Sequence, residues 1–450
     1  MTLIRRLFFV LLLVSFAGCS GSSDKGDPKG EGPDSLNKLN AVDPEMIDDC
    51  PIDGVDGDCV APACWFTGPV PEPQPQDFPW QDPTNCDFHQ ISWQYFLWLT
   101  EVVDGQLRFM TMFTDKAIYP ETKDDTHQVL DIVEQALSKG VLVDHNNRAV
   151  YSNIVINQTY RDWVLNNQLY NDEKFRMFGA QNNFPVGSMS IKGAWKIVQP
   201  GEDVSKLYTT KADIKLLVPV NGTPRVTDDS PTQPGVEVAL VGLHIAVVVE
   251  GHPEFIWATF EFDDNAPNFQ ENQAFDQPVS NENWLFYTAG TQARNANANN
   301  AATLAFIDQK AQTIGPITQV ARQYVNGGGN PTNQGNIENI NSSVENQLAE
   351  GSIWKNYFEV GAIWFNKPDA LQPDWTPNVD NSMVTGSLLL SNSVIETFTQ
   401  KVASQNECFS CHNTMPLTDV PNNKPVLPGK NANTSHVLLK AYQGGGEVKR

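Results

Sequence analysis

The sequence predicts an α+β fold, a large body built on a mainly antiparallel β-sheet with flanking helices. Three observations point there. Four β-like runs, at 189–198, 212–220, 236–249 and 255–262, follow one another between Pro, Gly and Asp clusters. Helix-like patterns lie on both sides of them. The 450 residues, 40% hydrophobic and 10% aromatic, suffice for one large core or two intimately packed ones.

Residues 1–18 read as a signal peptide. Arg5 and Arg6 precede an apolar stretch at 7–16, too short for a permanent spanning helix, and Ala17-Gly18-Cys19 supplies the small residues that lipoprotein processing needs before a cysteine. Cys19 is then the lipidated first residue, and Ser20, where an inner-membrane retention signal usually places Asp, points to the outer membrane, facing periplasm or cell surface. An ordinary cleaved signal with an incidental cysteine is the alternative. Residues 19–48 are polar and read as a flexible tether, because they hold too few apolar side chains to offset the entropy of ordering.

Residues 49–88 are Pro-rich and carry Cys50, Cys59, Cys64 and Cys86. In an exported chain these four read as two disulfides with three open pairings. A zinc site is the rival, without a C-x-x-C pair or paired histidines nearby. Asp48, Asp49, Asp53, Asp56 and Asp58, interleaved with Gly54 and Gly57, are candidate calcium ligands or a solvated acidic loop, and the closing Glu of a full calcium loop is missing.

The main body is expected over 89–415. Residues 91–99, aromatic-rich, fit a buried helix slightly better than a strand. The stretch 126–138 has apolar residues at Val129, Leu130, Ile132, Val133, Ala136 and Leu137 and Gly140 beyond, the pattern of an amphipathic helix. Residues 142–143 and 149–156 flank a polar H-N-N-R turn and suggest a hairpin. The run 236–249 is apolar at odd and even positions, so it belongs near the sheet centre, covered on both faces. In the Asn-rich region 295–346 a helix is expected at 302–313 and a glycine-rich loop at 327–329. No second long apolar run occurs, so no transmembrane helix is expected after processing.

Chemistry concentrates in Glu407-Cys408-Phe409-Ser410-Cys411-His412-Asn413, the C-x-x-C-H haem-attachment pattern. The thiols of Cys408 and Cys411 suit addition to two haem vinyl groups, and His412 is the axial iron ligand. By composition the pattern arises by chance in roughly one chain in six hundred of this length. A redox-active dithiol is the alternative, without the βαβ pattern of that class around it. Upstream, Ser393 and Glu396 form a potential capping box, and Val394, Ile395, Phe398 and Val402 share an apolar face, so a helix over about 393–404 is expected to deliver the site. Only 38 residues follow His412, so the body must supply most of the haem pocket; 416–450 is a tail.

The S-W-Q-x-F run at 92–96, K-G-A-W-K at 192–196, L-H-I at 243–245, I-W-A-T-F-E at 256–261 and C-F-S-C-H at 408–412 resemble a broad, poorly characterised group of exported proteins called simply cytochrome c family. The resemblance covers most of 90–415 and implies electron transfer. C-terminal attachment also resembles cytochromes c′ and their sheet-based counterparts; the first are helical bundles, which the β-rich middle argues against, and the second are much shorter chains.

The other side of the iron separates the functions: a sixth protein ligand favours electron transfer, and an open position admits a small molecule. Met383, His436 and His244 are the candidate sixth ligands, with a hydrogen-bonded core histidine as the other reading of His244. Met415 is expected to contact the haem edge, and His252 to be solvated. Lys192, Trp195, Trp257 and Glu261 are candidates for a pocket or, more simply, for core and paired surface positions. The excess of 53 acidic over 30 basic residues excludes nucleic-acid binding and suits solubility or docking of a basic redox partner protein. No Ser-His-Asp elbow, phosphate-binding loop or H-E-x-x-H occurs. A monohaem c-type electron-transfer protein is the first expectation, a haem oxidoreductase acting on a small molecule the second, and a haem-based ligand sensor the third.

Overall fold

A computed structural model describes residues 50–136, 138–325, 327, 330–400, 407–419, 424–443 and 448–449. The expected signal peptide and tether, Cys19, Asp48 and Asp49 lie outside them.

The chain forms a nine-stranded sheet. Its strands are β1 (Phe113–Thr114), β2 (Val129–Leu130), β3 (Tyr151–Ile156), β4 (Met189–Ile197), β5 (Thr209–Lys215), β6 (Thr232–Val249), β7 (His252–Phe262), β8 (Tyr357–Phe365) and β9 (Val384–Gly386). The order is β9-β8-β7-β6-β4-β3-β1, and the first half of β6 pairs β5. Every pairing is antiparallel except β2 with β5. The α+β class with a mainly antiparallel sheet is therefore as the sequence predicts.

The 18-residue β6 is central, and from Val238 onward it is covered on both faces, as apolar residues at both odd and even positions require. On one face Leu243 and Ile245, with Ile191, Ile256 and Phe260 of neighbouring strands, pack against the helix α1 (Asn85–Leu99) through Ile91, Trp93 and Phe96. Thr84 and Asp87 cap α1 reciprocally. On the other face Ala246 and Val248 pack with Tyr160 and Val164 of α2 (Gln158–Asn166), Phe175 of α3 (Asp172–Met177) and Val437, Leu438 and Leu439 of the C-terminal helix α5 (His436–Gln443).

The four cysteines join as Cys50–Cys64 and Cys59–Cys86, with Cα–Cα distances of 6.0 and 5.4 Å. Since Cys86 is in α1, the stapled segment runs into the body without a break. Its carboxylates hold backbone rather than one another: Asp56 accepts from the Cys86 amide at 3.0 Å, and Asp87 from the Gly54 amide at 2.6 Å. Among the described residues no three His, Cys, Asp or Glu converge as a metal site.

Three helix expectations need correction. Around 126–138, β2 and the bridges Ile132↔Ser152 and Glu134↔Val141 replace the amphipathic helix; Val129, Ile132 and Val133 are β-branched, and pairing with the sheet edge outweighs the helical spacing. At 302–313 a small hairpin forms from Ala305–Asp308 and Thr313–Gly315. The segment 393–400 is a series of turns, because Glu261 takes the amide and hydroxyl of Ser393 at 2.5 and 2.6 Å and Gln135 takes the amide and hydroxyl of Thr397; 401–406 lies outside the described residues. Conversely, α4 (Pro331–Gln347) forms in the Asn-rich region. Asn330 caps it, and Ile337, Ile340 and Val344 make its narrow apolar stripe toward α1. Among the described residues no helix is long and apolar enough to cross a membrane.

Candidate functional site

The pleat places Ile154, Lys192 and His244 side by side in one row across β3, β4 and β6, and Ser190, Ala246 and Trp257 in the next row across β4, β6 and β7. All six face away from α1. They form one wall of a cavity of about 300 Å³, within the ligand-pocket range. The C-terminal part of the chain makes the opposing wall, with Ile395, Glu396, Cys408, Cys411, His412, His436 and Val437. The β6 backbone passes close beneath this segment at Gly242, where a Cβ would come within 2.8 Å of Val394.

A short helical turn presents the motif. Glu407 accepts from the Phe409 amide at 2.8 Å, and the amides of Cys411 and His412 return to the Cys408 carbonyl at 3.1 and 2.8 Å. This i, i+3, i+4 spacing puts Cys408, Cys411 and His412 on one side, while Phe409 is buried against Phe365 and Trp375 on the other. His412 Nδ1 donates to the Thr434 carbonyl at 2.9 Å, which fixes the tautomer that leaves the lone pair on Nε2. The Trp257 and His436 rings each lie 3.9 Å from the His412 ring, at 33° and 23°. Two rings at that distance cannot share one face, so His412 packs between them.

Lys192, His244 and Glu396 form the polar part of the cavity. His244 Nε2 is buried without a hydrogen-bond partner and lies 3.9 Å from Glu396 Oε2. Burial, then the charges of Lys192 and His412, pushes the His244 pKa down to about 3. Burial lowers that of Lys192, against the pull of Glu396. It raises Glu396 to about 7 despite the Asn392 amide and Lys192, raises Glu407 to about 7, and pushes the Cys408 thiol up.

Of the candidates from sequence, Cys408, Cys411, His412, His436, His244, Lys192 and Trp257 meet at this cavity. His244 is thus a cavity residue, and the core-histidine reading is corrected. His436 sits beside His412, with Nε2 donating to the Cys411 carbonyl at 3.2 Å, so its ring is held on the His412 side. Met383 packs instead in the Phe365–Phe409 cluster, and neither Met383 nor Met415 lines the cavity. His252 is buried, not solvated: Nδ1 lies 2.8 Å from Glu254, and the ring meets Phe78 and Phe88 edge-on. Trp195 is core, and Glu261 is a buried partner of Arg322 at 2.8 Å. The sequence reading assigned no cavity role to Glu396 or to Ser435 and Val437 in the tail, since nothing local marks residues brought in by tertiary packing.

The donor set fits a covalently held haem: two thiols and an oriented imidazole share one wall, next to an apolar space lined by Ile154, Ala246, Phe255, Trp257 and Val437. No protein-family model, curated protein or solved structure matches this chain.

Proposed function

We propose that this chain holds one haem c in the cavity, attached through Cys408 and Cys411 and ligated by His412, and that it performs redox chemistry on a small molecule there. A haem held there would supply an iron able to change oxidation state and to take up small molecules. The protein's part is to hold His412 through Thr434, to wall the site with apolar side chains, and to offer Lys192, His244 and Glu396 to whatever enters.

One observation carries the choice of small-molecule chemistry. Lys192, His244 and Glu396 are gathered on the cavity wall, and His244 Nε2 is buried without a hydrogen-bond partner. Such burial is costly unless a ligand completes the hydrogen bonds, and a protein that only relays electrons has no use for the lysine and the carboxyl group there.

Electron transfer, with a protein group closing the sixth position, is the second reading, and the His244 imidazole on the cavity wall is the observation that favours it. We place either activity outside the cytoplasm, with a lipid anchor at Cys19 and a redox partner protein. The Cys50–Cys64 and Cys59–Cys86 pairs support an oxidising compartment.

Optical spectra of the purified protein, oxidised and reduced, with and without carbon monoxide, test this on wild type and His412→Ala. Readily bound carbon monoxide supports the open site. An unchanged reduced spectrum in its presence means a closed one and leaves electron transfer. Absence of a covalent haem band ends both readings.

A further inference from the structure

Lys192 and His244 are register partners on adjacent antiparallel strands, so their side chains rise from the same sheet face within a few ångströms of each other. Both are half-buried, and both line the cavity with Cys411 and His412. Among the described residues Lys192 forms no ion pair with a carboxylate. The acidic influence on it is Glu396, whose carboxyl faces His244 Nε2 at 3.9 Å. Lys192 thus stands in the cavity without a close ion pair among the described residues. Beside it, His244 Nε2 is buried without a hydrogen-bond partner. A cation and an unsatisfied imidazole nitrogen, adjacent in a low-dielectric space, favour an anion that accepts a hydrogen bond from each.

We infer that Lys192 and His244 form a binding subsite for a small anion of nitrite or azide size within the cavity, Lys192 supplying the charge and His244 a hydrogen bond. The inference rests on the small-molecule reading above and names the ligand class of that site.

The test uses the haem-loaded protein. Azide and nitrite are titrated into the oxidised form, and carbon monoxide, a neutral ligand, into the reduced form, with optical detection in wild type, Lys192→Met and Lys192→Arg. Loss of one charge-assisted hydrogen bond corresponds to about tenfold or more in affinity. Lys192→Met is expected to weaken azide and nitrite by about that factor and to leave carbon monoxide within about twofold, while Lys192→Arg keeps anion affinity within about threefold. Thermal unfolding of Lys192→Arg checks that the cavity persists.

The inference is overturned if Lys192→Met weakens carbon monoxide as much as the anions, or leaves anion affinity unmoved. It is also overturned if the variant loses haem with anion affinity intact in the remaining holo fraction, which would assign Lys192 to the haem carboxylates. A wild-type protein with a covalent haem band that ignores both anions overturns this inference alone. A protein without such a band overturns the function on which it rests.

Discussion

The His412 and His436 rings lie face to face, 3.9 Å apart and 23° from parallel, and the two chain segments that carry them are tied reciprocally. His412 Nδ1 donates to the carbonyl of Thr434, two residues before His436, and His436 Nε2 donates to the carbonyl of Cys411, the residue before His412. The turn that carries the C-x-x-C-H residues and the start of α5 are therefore locked together by two hydrogen bonds around one stacked pair. Trp257 covers the other face of His412, so neither tilt nor rotation of that imidazole is open to it without breaking a contact.

His436→Phe retains a ring against His412 and deletes the hydrogen bond to Cys411; His436→Ala deletes both. Denaturant unfolding should show a loss of about 1 kcal/mol for the first and about 2 kcal/mol for the second. The reduction potential of the haem-loaded protein should shift more in Ala than in Phe. Identical stability and potential in the two variants would mean that the stack positions nothing.

Glu261 is buried at the foot of the 392–396 segment and accepts from Arg322 Nε at 2.8 Å and from Ser393, while Arg322 also donates to the carbonyls of Phe262, Asp263 and Ala266. Arg322→Met leaves a buried carboxylate without its cation and should cost about 3–5 kcal/mol by denaturant unfolding. Because Ser393 shares that carboxylate, carbon monoxide rebinding in the haem-loaded protein should change as well. A loss under about 1 kcal/mol would contradict the burial of this pair.

Replacing both Cys59 and Cys86 by Ser removes a cross-link between positions 27 residues apart at the start of α1. Chain-entropy arguments give a loss of about 3–4 kcal/mol. Thermal unfolding with and without reductant checks this: reductant should lower the midpoint of wild type and matter less in the double variant.

His89 and Glu359 form a buried pair, with Nδ1 3.0 Å from the carboxylate and Nε2 3.0 Å from the Asn333 side-chain oxygen. Burial pulls the His89 pKa down, but the charge and hydrogen bond of Glu359, helped by Asn333, outweigh it, so it stands above 6.5. Burial also raises Glu359, against His89. The native state thus binds more protons than the unfolded chain. The His89 contribution is fully present below pH 6.5 and is lost as pH rises through its folded value. Midpoints measured from pH 6 to pH 9 should fall in wild type and fall less in a His89→Gln, Glu359→Gln variant. A midpoint that climbs over this range would reverse the assignment.

The sequence by itself determined the elements whose signal is local. Apolar residues at both odd and even positions of 236–249 pointed to a central strand covered on both faces, and the aromatic-rich spacing at 91–99 fitted a buried helix slightly better than a strand. The C-x-x-C-H spacing places two thiols and an imidazole on one side of a single turn wherever that turn sits. Tertiary structure decided what depends on pairing between distant residues. The segments at 126–138 and 302–313 carry helical spacing, but sheet and hairpin partners set their conformation, helped at 126–138 by the β-branched Val129, Ile132 and Val133. The expected helix at 393–404 gives way over 393–400 to turns because Glu261 and Gln135, more than 130 residues away, take the groups of Ser393 and Thr397. The site itself is of this second kind. Lys192 and His244 become neighbours only through strand register, and Glu396, Ser435 and His436 reach them only because the C-terminal segment folds back over the sheet. Side-chain alternation told which residues share a face; which face the chain would cover with its own end is set by packing, and no local pattern records it.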